Sequence, residues 1–484
     1  MKIVIILIWI ILFVFYKNIF GQNIFSEEKI ISDTAFGASC VYSIDIDGDN
    51  DLDVVACSYY AGKVMWYENQ DGLGNFSDEK LIYEHDVDMI ATMMLGVFAI
   101  DIDGDNDMDV ITANPFGNYH ITWFENEDGE GNFSSPRTVV GNEGHTNSVF
   151  AADLDGDGDI DILPALGTNE VVWYENIDGK GNFGNKKIIS SDVSLTSQFI
   201  AGDLDGDEDM DVISASAGDS KIAWYSNIDG KGNFGEQQII TTNVDGLWSI
   251  YTSDLDNDSD IDILSLSKYD DKVAWYENTD GKGTFSSQKV ISTSADAVGG
   301  ANTIFAIDLD CDGRNDVLSA TQDDDKIAWY RNLGDGSFGD QKIISTNADG
   351  ASSVYACDLD NDGDIDVLSS SKFDSKIAWY ENSTNITSVK NNQTNVPDNF
   401  QLYQNYPNPF NPSTTIRFTL PKSEHISLKV YNIAGQEVAE LINGFYVTGE
   451  HSIQLEAEGL TSGIYFYQMK ADGYNETKKM LLLR

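Results

Sequence analysis

The chain has 484 residues, enough for about three domains of ordinary size, and at 41% hydrophobic and 23% charged it can bury a real core, which excludes global disorder. Its 80 Asp and Glu against 29 Lys and Arg leave a formal net charge of −51. That excludes a nucleic-acid partner, because a phosphate backbone needs cationic groups to replace its counterions, and it favours an acidic protein that attracts cations.

Met1 and Lys2 precede fourteen apolar residues, Ile3 to Tyr16, and Lys17 and Asn18 then lead to Gly21 and Gln22. A basic start, a short apolar run and a small residue predict a secretory signal peptide over 1–21, cleaved near Gly21. As a helix the run would span about 21 Å, short of the roughly 30 Å hydrocarbon layer, so no transmembrane segment is expected after cleavage. An uncleaved anchor lengthened by Ile19 and Phe20 is the alternative. The first cysteine, Cys40, lies too far along to carry a lipoprotein anchor. Four cysteines are too few for a disulfide scaffold, although Cys40 and Cys57 flank one acidic loop and could face each other across its strands. Cys311 and Cys357 read as isolated small residues.

Three markers then recur together, seven times each. An acidic run starts at Asp45, Asp101, Asp153, Asp203, Asp254, Asp308 and Asp358; an aromatic pair follows at Trp66, Trp123, Trp173, Trp224, Trp275, Trp329 and Trp379; a segment such as NFGNKKIIS (182–190) closes the unit. Within a unit, short alternating runs such as SVYACDL (353–359), DVLSSS (366–371), KIAWYEN (376–382) and DQKIIST (340–346) predict four strands in about 50 residues. Seven such units predict an all-β fold, a seven-bladed β-propeller over 23–382. The last unit stops at Asn382 without a fourth strand, whereas IFSEEKIIS (24–32) is a fourth strand with no unit before it. The N-terminal strand is therefore expected to close the ring, which leaves no open edge.

The first acidic run reads DIDGDNDLD, with Asp45, Asp47, Asp49, Asp51 and Asp53 at offsets 0, 2, 4, 6 and 8. Its counterparts are Asp101, Asp103, Asp105, Asp107 and Asp109; Asp153, Asp155, Asp157, Asp159 and Asp161; Asp203, Asp205, Asp207, Asp209 and Asp211; Asp254, Asp256, Asp258, Asp260 and Asp262; Asp308, Asp310, Asp312, Arg314 and Asp316; and Asp358, Asp360, Asp362, Asp364 and Asp366. So many like charges in nine residues repel one another, and a hard cation removes that cost. Calcium fits best, because it accepts six to eight oxygen ligands in a flexible geometry. Offsets 0, 2, 4 and 8 would ligate through side chains and offset 6 through its main-chain carbonyl, so that Arg314 need not destroy the sixth site. The alternative is a set of solvated acidic turns.

With these residues, the chain resembles the FG-GAP and VCBS repeat family, calcium-loop propellers that include integrin alpha subunits and share a D-x-D-x-D-G-x-x-D loop. The resemblance covers 23–382 and implies up to seven structural calcium ions, with the aspartates as ligands rather than catalysts. The loop glycine stands at Gly158, Gly313 and Gly363, and Asn50 and Asn106 tolerate the same left-handed backbone. Glu208 and Ser259 depart from it, which makes the fourth and fifth sites the expected exceptions. The seven tryptophans read as blade packing.

An Asn- and Thr-rich stretch, 383–399, reads as a linker. Beyond it, 400–484 alternates strands and Gly turns and predicts a small β-sandwich with seven basic and eight acidic residues. Tyr406 to Phe410 (YPNPF), Val430 to Gly435 (VYNIAG), Gly463 to Tyr465 and the basic end at Lys478, Lys479 and Arg484 resemble the C-terminal sorting domain of type IX secretion cargo. That resemblance implies contact with the type IX machinery and a secreted or surface-attached product.

In four-stranded antiparallel blades the acidic loops and the NIDGKGNF turns emerge on one face. The other face collects segments that differ between repeats: Tyr59 and Tyr60, Glu84 to Leu95, Phe116 to His120, Tyr269 to Asp271, and Phe373 with Asp374. A repeated scaffold with one variable face suits a binding or adhesion module for an extracellular protein or glycan, without catalysis. Two alternatives stay open: a calcium-dependent polysaccharide lyase or hydrolase, and a purely structural element of a surface assembly. His85, His120 and His145 are the only imidazoles of the repeat region, and the acidic residues are too regular to single out a catalytic pair.

Overall fold

The computed structural model describes residues 24–84, 96–114, 121–141, 146–293, 303–334, 336–383 and 400–482, the last apart from 406, 407, 409, 411, 412, 422, 423, 434, 435, 447, 448, 457–462, 472 and 473. The signal-peptide segment, most of the 383–399 stretch, the 85–95 connection, Phe116 to His120, His85 and His145, three of the five YPNPF residues, Gly435 and Arg484 lie outside the described residues. The chain divides into two compact units, Met1–Ile386 and Thr387–Arg484. Among the described residues no helix is long and apolar enough to cross a membrane.

Unit one is a succession of small antiparallel sheets. The first contains Ala38–Ile44, Asp53–Ser58, Lys63–Tyr67 and Lys80–Glu84 in that order. The second strand is buried along its whole length, whereas the fourth alternates partly covered and exposed residues, the burial gradient of an outer edge strand. The same order repeats six more times; in the third sheet the two halves are joined by reciprocal backbone bonds between Ile162 and Tyr174, 3.1 and 2.9 Å. The seventh sheet, Ala351–Cys357, Asp366–Ser371 and Lys376–Tyr380, takes Lys29–Ser32 as its fourth strand, with Lys29 opposite Trp379 and Ile30 opposite Ala378.

The first strands of the sheets, Ala38–Ile44, Gly96–Ile100, Ser148–Ala152, Thr196–Gly202, Leu247–Ser253, Ile304–Ile307 and Ala351–Cys357, touch one another in succession, and the last touches the first. The core lies between neighbouring sheets. Val41, Val54, Ala56 and Met65 of the first sheet pack on Leu368, Ile377 and Trp379 of the seventh, and the repeat's aromatic residues fill each such seam. The innermost strands line a central channel of about 260 Å³. Tyr42, Phe98, Phe150, Tyr251, Phe305 and Tyr355 form an aromatic collar in it, with ring centres 4.9 Å apart for Tyr42 and Tyr355 and 4.8 Å for Tyr251 and Phe305. Cys40 and Cys57, directly opposite in register, form a disulfide; Cys311 and Cys357 are free thiols.

Unit two has a three-stranded sheet, Gln401–Leu402, Ser413–Leu420 and Gly449–Glu456, and a four-stranded one built from Glu437–Tyr446, Glu424–Asn432, Gly463–Ala471 and Tyr474–Leu482. Both contribute to one core, in which Phe418 and Leu455 meet Val430, Tyr467 and Met480, so the unit is a sandwich.

Candidate metal centres

Each acidic run connects the first and second strands of its sheet, and its own carboxylates fold it. In the first loop the Gly48 and Asn50 N–H groups donate to the two oxygens of Asp45, at 2.8 and 2.9 Å, and the Asp51 N–H donates to Asp49 Oδ1 at 2.9 Å. These side-chain-to-backbone bonds wind the loop round Asp45. The residue at offset 5 takes a left-handed backbone in all seven loops, with φ of 71° at Asn50, 75° at Asn106, 94° at Gly158, 71° at Glu208, 76° at Ser259, 84° at Gly313 and 92° at Gly363. Glu208 and Ser259 therefore keep the loop conformation, and their N–H groups donate to Asp203 and Asp254 at 3.0 Å as Asn50 does to Asp45. Departure from glycine there costs roughly 1–2 kcal/mol of backbone strain without changing the loop's path.

Offset 8 is fully buried. Asp53 accepts the Ile46 N–H at 3.0 Å on one oxygen and the Asn69 N–H at 2.8 Å on the other. Asp109, Asp161, Asp211, Asp262, Asp316 and Asp366 repeat this pair of bonds in their own sheets. Burial pushes the Asp53 carboxyl up to about 8 even against these two donors, and Asp109 up to about 7. Offset 2 lies beside it. Burial, followed by the charge of Asp49, raises Asp47 to about 6.

Asp45, Asp47 and Asp53 bring one oxygen each within 4.8 Å of one another, as do Asp101, Asp103 and Asp109 and the corresponding trios of the next three loops. One oxygen of the offset-2 residue is buried without a hydrogen-bond partner in every loop: Oδ1 of Asp47, Asp103, Asp155, Asp205, Asp256, Asp310 and Asp360. A buried carboxylate oxygen with no donor is costly, and a hard cation is the partner its chemistry fits. Offset 6 is not drawn into these trios. Asp51 lies against Gly72 of its own sheet, where an added Cβ would come within 2.3 Å of its carboxylate, which leaves only its main chain for the loop interior.

A residue that the sequence reading passed over completes the site. Trp-x-x-Asn recurs in every unit, and its asparagine is buried: the Asn69 N–H holds Asp53 while its side-chain amide donates to the Leu359 carbonyl of the seventh loop at 2.8 Å. Asn126, Asn176, Asn227, Asn278, Asn332 and Asn382 reach in the same way to Ile46, Ile102, Leu154, Leu204, Leu255 and Leu309 of the preceding loop, at 2.7 to 2.9 Å. Each loop is thus pinned from the next sheet. The tryptophans are buried as expected, Trp66 under Gly131 of the following sheet, with Lys80 4.0 Å above its ring and paired to Glu68 at 2.7 Å.

The sixth loop differs. Arg331 Nε lies 2.5 Å from Asp310 Oδ2, its Nη2 donates to Asp312 Oδ2 at 2.9 Å, and Arg314 pairs with the same Asp312 oxygen.

The family model for FG-GAP-like repeats matches residues 45–112, 101–163, 203–265, 254–319 and 308–369. The secretion system C-terminal sorting domain matches residues 404–483. No curated protein matches the sequence. Similar solved structures include an Agrocybe aegerita lectin described as recognising non-reducing terminal N-acetylglucosamine (21% identity, TM-score 0.48, covering 64% of this chain and 81% of that one). PorZ, a surface component of the type IX secretion system of Porphyromonas gingivalis, is 13% identical with a TM-score of 0.42, covering 91% of this chain and 60% of its own. A functionally unknown protein from Desulfotomaculum acetoxidans is 13% identical with a TM-score of 0.41, covering 64% of this chain and 89% of that one.

Proposed function

The chain belongs to the FG-GAP-like repeat family, and we propose that it is a calcium-stabilised, non-catalytic binding module for an extracellular protein or glycan. Its C-terminal unit is a type IX sorting domain, so the protein is secreted and attached to the cell surface. Asp45, Asp47 and Asp53 and their counterparts would hold the ions, joined by Asp49 and the carbonyl at offset 6. Bound calcium would neutralise carboxylates that otherwise repel, and it supplies no step of a reaction. The non-catalytic reading is supported by the commitment of the most perturbed carboxylates, those at offset 8: both oxygens of Asp53 already accept backbone N–H groups.

The observation that carries the binding reading is on the opposite face. The turns between second and third strands are bonded to the connections that enter the first strands, Tyr59 N–H to Gly37 O at 2.7 Å and Phe373 N–H to Asp349 O at 3.0 Å. There Phe36, Tyr60 and Phe373 are 60%, 46% and 53% exposed. Phe36 and Tyr60 have ring centres 5.3 Å apart, and Lys372 lies 3.5 Å over Tyr59. Tyr269 and Lys268 repeat the combination beside Trp248. Rigid exposed rings with cations above them offer stacking area at low entropic cost.

The test is to incubate the full-length exported chain with polysaccharides and extracellular proteins in calcium, scoring retention and product release together. Retention without products is expected, with loss of retention and an unchanged melting temperature for Tyr60→Ser combined with Phe373→Ser. Released oligosaccharides would overturn the reading in favour of a polysaccharide-degrading enzyme.

A further inference from the structure

We infer that the sixth sheet supplies its own cation: the guanidinium of Arg331, assisted by Arg314, takes the place of the metal, so that the protein binds six ions and not seven. The inference rests on the calcium reading above and departs from the expectation that Arg314 need not destroy its site.

The residue two places after the repeat tryptophan is Glu68, Glu125, Glu175, Glu277 or Glu381 in five sheets and Ser226 in the fourth. The glutamates turn toward a fourth-strand cation: Glu68 to Lys80, Glu175 to Lys187, Glu277 to Lys289 and Glu381 to Lys29, each at 2.6 to 2.7 Å, and Glu125 to Arg137. In the sixth sheet the position is Arg331, and it turns the other way, into the loop. Its guanidinium lies between Asp310 and Asp312, the counterparts of Asp47 and Asp49: Nε makes an ion-pair contact with Asp310 at 2.5 Å that is not aligned as a hydrogen bond, and Nη2 donates to Asp312 at 2.9 Å. A guanidinium suits such a two-carboxylate bridge and stays charged at any physiological pH.

The charge count makes the contrast large. The first site gathers Asp45, Asp47, Asp49, Asp51 and Asp53, five negative groups with no cation among them, beside a Glu68 whose charge is met by Lys80. The sixth gathers Asp308, Asp310, Asp312 and Asp316 against Arg314 and Arg331, a net charge of −2. A divalent ion would have to displace a half-buried guanidinium and then lie beside it, so both the attraction and the room are reduced.

The loop nevertheless keeps its form. Asp312 and Gly313 N–H groups donate to the two Asp308 oxygens at 3.0 and 2.7 Å, and the Asn332 N–H holds Asp316 at 2.7 Å. Asp310 Oδ1 is buried without a partner like its six counterparts, because Arg331 meets the other oxygen of that carboxylate, so the sixth loop differs in charge and not in shape. One sheet of the ring is therefore independent of metal, and it is one of the two against which the strand-closing seventh sheet packs.

Calcium content after equilibrium dialysis of the full-length chain tests this. Six ions per chain are expected for the wild type, and seven for Arg331→Glu combined with Arg314→Asp. In the wild-type background, Asp310→Asn with Asp312→Asn should leave the count at six, whereas Asp103→Asn with Asp105→Asn should lower it to five. Seven ions in the wild type, a drop to five on changing Asp310 and Asp312, or a folded arginine variant that still binds six would overturn the inference and leave the calcium reading standing. No bound calcium in any of these proteins would instead remove the calcium reading, and this inference with it.

Discussion

The side-chain amide of Asn69 donates to the backbone carbonyl of Leu359 at 2.8 Å, joining the first sheet to the loop of the seventh across 290 positions of sequence. Its Oδ1 accepts the Gly74 N–H at 3.1 Å, so one fully buried side chain ties the closure of the ring to the turn of its own sheet. Asn69→Ala leaves a buried acceptor and a donor unpaired, and should cost about 2–3 kcal/mol. Urea unfolding followed by tryptophan fluorescence measures it, and a change within about 0.5 kcal/mol would contradict the role assigned to this amide.

Gly131 and Gly158 both have positive φ, 77° and 94°, but only Gly131 meets a wall: a Cβ there would lie 2.3 Å from Trp66 Cζ2, whereas Gly158 has open space. Gly158→Ala should cost about 1 kcal/mol of backbone strain, and Gly131→Ala about 3 kcal/mol or more because a buried indole must move. Equal losses in the two variants, read from denaturant midpoints, would refute the packing account.

Much of this was legible in the sequence because a repeat reports its own period. The recurrence of the acidic run and of Trp fixed the number of units, and the unmatched IFSEEKIIS segment foretold the pairing of Lys29 with Trp379. The Asn staple escaped because periodicity shows that Asn69 recurs, not that its amide points at a backbone carbonyl of another unit. Arg331 escaped for a related reason: it lies fifteen residues past the run that contains Arg314 and enters the loop from the third strand. What Glu208 and Ser259 do to the loop path was not legible either, since the loop's hydrogen bonds impose the left-handed conformation on residues that only mildly resist it.

The raised carboxylates set a pH dependence. Asp53 and Asp366 are pushed up to about 8, and Asp109, Asp161, Asp211, Asp262 and Asp316 to about 7, by burial in each case. Without calcium the folded chain holds these protons more tightly than the unfolded chain, whose carboxyls titrate near 4. Their stabilising contribution is then complete below pH about 4 and is lost as pH rises toward 8. In EDTA the urea midpoint should be higher at pH about 5.5 than at about 8, and saturating calcium should flatten or reverse that slope because the ion replaces the protons. A chelated protein more stable at the higher pH would contradict the burial of these groups.

The Cys40–Cys57 bridge closes a loop with a sequence separation of 17 residues around the first acidic run. Replacing both cysteines by serine should lower stability by about 3 kcal/mol, as loop-closure entropy predicts for such a span. Thermal unfolding of the double variant in calcium measures this, and an unchanged transition would mean that the loop is already fully restrained by its hydrogen bonds.

The most direct test of the account is the thermal unfolding of the full-length chain in EDTA and in millimolar calcium, followed by tryptophan fluorescence. Every tryptophan beyond Trp9 lies between Trp66 and Trp379, so the signal reports unit one alone. Ions that bind only the folded loops must raise the midpoint, and several such sites together should raise it by well over 10 °C. A midpoint that is the same in EDTA and in calcium would show that the acidic loops are solvated turns and not metal sites.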